Sequence, residues 1–144
     1  MLCRIAIPAL MFFTMPAFAQ IKVHVSGTSD DPVGRFLVFA VKEEIRRSSS
    51  MSVAESEKDS MVDLHLVSLD PDQASSGQGI RTVYSVVWTA KTLHEKPVQM
   101  YLGNHMGVCS GRNIKECAVS ITVETDKWVS TVRRWVPDSI EKEK

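Results

Sequence analysis

Three cysteines, four histidines and a few carboxylates are the residues of this 144-residue chain whose types could do chemistry, and one of the cysteines, Cys3, stands at its very start. Cys109 and Cys117 flank the segment SGRNIKE. That spacing is wider than the Cys-x-x-Cys of a redox pair at a helix N-terminus. No further ligands cluster nearby to complete a zinc site. The pair therefore reads as a disulfide closing a small ring, a constraint the chain-entropy relation values at about 2.5 kcal/mol. The histidines are His24, His65, His94 and His105. None pairs at the i, i+4 spacing of a zinc protease helix, and there is no His-x-His. Only a cross-strand approach of His94 and His105 could build a metal site. Glu55, Glu57 and Asp63 could serve as paired carboxylates only if folding brought them together, and all three read as solvated surface.

Other motifs fail on their own terms. Asp70-Pro71-Asp72 opens like a calcium loop, but Ser75 stands where the sixth-position glycine belongs and Arg81 where the twelfth-position glutamate belongs. Gly77-Gln78-Gly79 lacks the third glycine of a dinucleotide fingerprint and precedes a strand rather than a helix. Gly103 and Gly107 have membrane-dimer spacing in a polar, strand-like segment. There is no Gly-x-Ser-x-Gly elbow and no Ser-x-x-Lys at a helix start. The reading assigns no catalytic residue, no metal and no cofactor.

A recognition surface has better support. Ser110-Gly111-Arg112-Asn113 is small, polar, closed by the staple and carries an arginine, so it is pre-organised for contact. Arg112 and Asn113 are the candidate partner-binding residues, Arg112 foremost. Trp128 and Trp135 lie seven apart at helical spacing and read as core.

The chain opens MLCRIAIPALMFFTMPAFA. Arg4 supplies a positive start, Ile5 to Met15 an apolar run, and Ala17-Phe18-Ala19 the small residues of a cleavage site before Gln20. The run is short for a membrane span, which needs about twenty apolar residues. Residues 1–19 are thus expected to be a cleaved signal peptide, and Cys3 leaves with them. Removing Arg4 leaves sixteen basic against seventeen acidic residues, and no basic tract invites nucleic acid or an anionic membrane surface. Nothing after residue 20 is apolar for long enough to span a membrane. An oxidising compartment outside the cytoplasm, periplasmic or fully secreted, suits the cysteine pair.

Roughly 125 remaining residues make one domain: residues 20–137, followed by a solvated tail, 138–144. Ile21 to Val25 alternates as a first strand and Gly27 to Asp31 reads as a turn. Asp31 caps a helix with Pro32 at its first position, and Val33, Phe36, Leu37, Ala40, Val41 and Ile45 mark its apolar face. A short strand at Met51–Ala54 is followed by a polar turn, then by strands near 62–69, 80–90 and 98–106. Ile114, Cys117, Ala118, Ile121, Trp128, Val132 and Trp135 trace a final helix ended by Pro137.

The order β-α-β-β-β-β-α predicts an α+β two-layer sandwich, with a mostly antiparallel sheet of four to five strands and both helices on one face. This order, with export, resembles small periplasmic α/β modules of envelope-assembly proteins, such as the N-terminal domain of TolB or the LptE-like lipoproteins. The resemblance lies in element order and address and carries over no functional residue. The expected function is non-catalytic binding to a protein or cell-envelope component. The alternatives are a small secreted hydrolase assembled from separate strands, and an enzyme inhibitor presenting the 109–117 loop as a finger.

Overall fold

Alternating burial along each strand sorts the side chains onto a helix-covered face and an open face. The computed structural model describes residues 20–73, 79–92 and 98–135. The elements are β1 (Ile21–Ser29), α1 (Pro32–Arg46), β2 (Met51–Val53), a single 3-10 turn (Glu57–Asp59), β3 (Val62–Leu69), β4 (Arg81–Lys91), β5 (Gln99–Ser110) and α2 (Ile114–Arg133). The expected signal segment 1–19, His94, Gly77 and the expected tail 138–144 lie outside the described residues.

The five strands run in the order β2-β1-β3-β4-β5. The sheet is mixed. β1 is parallel to both β2 and β3, because α1 carries the chain back across the sheet before each of them is laid down. The β3–β4 and β4–β5 pairings are antiparallel and are the longest in the sheet. Val23, Val25, Val62, Leu64, Leu66, Val86, Trp88 and Ala90 point to the helices and are buried. They form one core with Leu37, Val41 and Ile45 of α1 and Ala118, Ile121, Val129 and Val132 of α2.

α1 begins as its residues dictate. The Asp31 side chain accepts from the Gly34 N–H at 2.7 Å, with Pro32 at the first helical position. Thr82 Oγ1 donates to the other Asp31 oxygen at 2.8 Å, tying the helix start to β4. A β-carbon on Gly34 would sit 1.9 Å from Ser68 Oγ, so this close approach of helix to sheet requires glycine.

Several boundaries differ from expectation. β1 continues through the predicted turn to Ser29, because Thr28 and Ser29 pair with Val67 and Ser68 of β3. β5 runs on to Ser110, since Gly107 lies under the Tyr84 ring and Cys109 is buried in the core. α2 ends at Arg133, and Trp135 lies beyond it, 47% exposed, rather than in the core. Trp128 is partly buried against the core. Thr125 takes the inward position that the apolar spacing left open, because it receives a hydrogen bond from Trp88.

Candidate functional site

The open face of the sheet has two chemically distinct ends. At one end, strand register sets His24 beside Asp63 and Ser26 beside His65. Asp63 is fully buried, against the expectation of a solvated carboxylate, because the 3-10 turn and Lys91 cover it. Its carboxylate accepts from Ser60 Oγ and pairs with Lys91 Nζ at 3.4 Å and with His24 Nδ1 at 3.7 Å. Lys91 Nζ also donates to the Glu57 carbonyl, and to Ser60 Oγ at 3.2 Å. These partners pin the 3-10 turn to the sheet, and a buried charge is held only when it is paired in this way.

Ser26 Oγ lies 2.6 Å from His65 Nδ1, within the reach a nucleophile needs from its base. A triad requires the same histidine to be oriented by a carboxylate. Here the carboxylate Asp63 approaches His24, at 3.7 Å and without a hydrogen bond, while the serine bonds His65, so no one ring is held between serine and carboxylate. Glu55 and Glu57 sit on the exposed turn and form no convergent pair with Asp63. His105 contacts Tyr84, its Nε2 lying 3.4 Å from the phenol oxygen. Among the described residues, no group of three or more His, Cys, Asp or Glu is placed to hold a metal ion.

The other end of the open face is apolar. Register places Leu69, Val83 and Val108 in one row straight across β3, β4 and β5. The next row holds Val67, Ser85 and Met106. Val67, Leu69, Val83, Met106 and Val108 are all exposed, Met106 at 71%. Half-solvated antiparallel sheets ordinarily show polar residues on such a face. A contiguous apolar patch on an exposed surface marks an interaction site. These residues carry no polar chemistry and belong to no motif in the sequence. Their signal was the run Leu66-Val67-Ser68-Leu69, which places apolar side chains in both phases of β3, together with Val83 in the outer phase of β4.

β5 leads from this apolar end directly into the stapled loop. Cys109 and Cys117 are disulfide-bonded, with 6.2 Å between their Cα atoms. The bond ties the end of β5 to the start of α2, as the sequence led us to expect. Arg112 and Asn113 are exposed. Asn113 stands at the N-cap of α2 and makes no side-chain capping bond. Arg112 lines a shallow groove of about 480 Å³ with Phe39, Glu43 and Glu44 of α1, Arg47 at the C-cap of that helix, and Lys115 of α2. The groove is on the helix layer, away from the Ser26–His65 pair on the open face. Among the described residues, no helix is long and apolar enough to cross a membrane.

No known protein family model matches the chain, and no curated protein does. Among solved structures the chain is similar to the crystal structure of the rare lipoprotein B from Shewanella oneidensis. The identity is 11% and the TM-score 0.31, over 82% of this chain and 98% of that one, a likeness too weak to transfer a function.

Proposed function

We propose that this chain is an exported, non-catalytic binding module that acts by contact with a protein or other component of the cell envelope. The observation that carries the reading is the exposed apolar end of the sheet: Leu69, Val83 and Val108 in one row, with Val67 and Met106 beside them. Leaving these side chains in water forgoes their burial free energy, of order 1.5 kcal/mol or more each, and a partner that covers them recovers it. Export is supported by the signal-like residues 1–19 and by the Cys109–Cys117 bond, which an oxidising compartment maintains. In this reading Arg112 and Asn113, in the exposed loop that β5 enters, provide polar contacts on the helix-layer side of the same end of the molecule.

The test is to charge the patch without disturbing the sheet. Leu69→Glu with Val83→Lys places opposite charges on directly opposed residues, so the ladder itself is not penalised. The variant is expected to fold with nearly wild-type thermal stability and to migrate as free protein in native envelope extracts, where wild type migrates in a larger species. A folded variant that still migrates with the wild-type species would overturn the reading.

A further inference from the structure

The two edges of the sheet are built differently. β2 is an edge of only three residues, and brevity is one of the ways natural sheets blunt an edge. β5, the opposite edge, has twelve residues, Gln99–Ser110, with no proline and no Asp, Glu, Lys or Arg. It lacks the charge, the proline and the shortness that ordinarily keep edges from pairing, and its one register shift, opposite Trp88 and Thr89, lies outside the stretch Gly103–Ser110.

The direction of its free backbone groups follows from one hydrogen bond. The Gly111 N–H donates to the Ile80 carbonyl at 3.1 Å, one step beyond the Arg81–Ser110 pair. Antiparallel ladders alternate hydrogen-bonded and non-bonded pairs. Gly103, His105, Gly107 and Cys109 therefore turn their N–H and C=O groups toward β4, up to the register shift opposite Trp88 and Thr89. Those of Asn104, Met106 and Val108 point away from the sheet, and no described residue bonds them.

We infer that β5 pairs antiparallel with β5 of a second copy of this chain, about a two-fold axis at Met106, joining two five-stranded sheets into one. The strand is self-complementary in this register. Met106 meets its own copy, and Asn104 meets Val108 of the partner subunit. On the helix-covered side, His105 faces the partner subunit's Gly107, where no side chain opposes the imidazole. A two-fold contact brings a side chain at its axis against its own copy, so a charge at Met106 would repel itself, and the charge-free sequence of β5 meets that requirement. A foreign strand would impose no such condition. The pairing also continues the apolar end of each open face, since Met106 and Val108 lie on that face at the shared edge. The inference stands on the edge and not on what the open face binds.

The test is the mass in solution of the purified full-length product, by sedimentation, for wild type, Met106→Lys, Met106→Glu and an equimolar mixture of the two variants. Wild type is expected to sediment with twice the monomer mass, and each variant alone as a folded monomer, because like charges meet at the axis. The mixture is expected to return to twice the monomer mass, because Lys then faces Glu. Met106→Pro removes an outward N–H that β4 does not use, and is expected to be a folded monomer. A wild type that stays monomeric at all concentrations, variants that dimerise like wild type, or a mixture that stays monomeric would each overturn the proposal. The patch experiment above can fail with this one succeeding, and the reverse, so the two readings are separable.

Discussion

The indole N–H of Trp88 donates to Thr125 Oγ1 at 2.9 Å, a fully buried polar bond between β4 and α2 in the middle of the core. Thr125 in turn donates to the Ile121 carbonyl at 2.8 Å. The chain thus spends an inward helical position on a hydroxyl in order to satisfy a tryptophan that has no water to bond. Thr125→Val keeps the shape and strands the indole N–H. It is expected to lower stability by about 1–3 kcal/mol, measured by urea unfolding at unchanged m-value.

The disulfide gives a second prediction. Cys109→Ala with Cys117→Ala is expected to lose about 2.5 kcal/mol, the ring-closure value, plus a smaller packing loss at buried Cys109. The intact mass of wild type should rise by two hydrogens on reduction. Unchanged unfolding midpoints in the double variant would show that the staple does not constrain the unfolded chain.

Gly34 carries a third. A β-carbon there would lie 1.9 Å from Ser68 Oγ and 2.3 Å from Ser29 Oγ, two hydroxyls that bond each other at 2.8 Å. Gly34→Ala must push α1 off the sheet or break that pair, at a cost of about 1–3 kcal/mol. Calorimetry that finds Gly34→Ala as stable as wild type would contradict the close approach. Helix propensity alone would favour alanine by roughly 1 kcal/mol, so the sign decides between the two effects.

These sites show where the sequence was legible. Asp31-Pro32 announces the start of α1 through cap chemistry, and the alternation of β4 from Thr82 to Ala90 identifies its inward face. The disulfide was readable because spacing excluded its competitors. Thr125 was not readable, since only the position of Trp88 across the core explains it. Asp63 is equally opaque. Its pattern in sequence describes an exposed strand residue, and it is the preceding 3-10 turn folding back over the strand, with Lys91 from distant β4, that buries it. The apolar end of the open face required the strand order, because Leu69, Val83 and Val108 are far apart until register aligns them.

Two groups give opposite pH dependences. Burial pushes the Tyr84 phenol above its ordinary 10.0. The folded chain then holds that proton more tightly than the unfolded chain. The contribution is complete below the unfolded value and is lost as pH rises through the folded one. Asp72 is held below the ordinary carboxylate value of 3.8, chiefly by its hydrogen bond from Arg81. Its contribution is complete above that value and is lost as pH falls through the folded one, and it is small because the pair is exposed. Melting temperatures of wild type and Tyr84→Phe should run parallel near neutrality. Above about pH 10 the wild type should fall faster. Parallel curves throughout would contradict the assignment to Tyr84.

Binding through the open face is tested most directly by crosslinking in living cells from a photoreactive residue placed at Val83, on that face, or at Val123, on the exposed outer side of α2. A discrete adduct with an envelope component is expected from Val83 and none from Val123. An adduct from Val123 alone, or no adduct from either position, would contradict it.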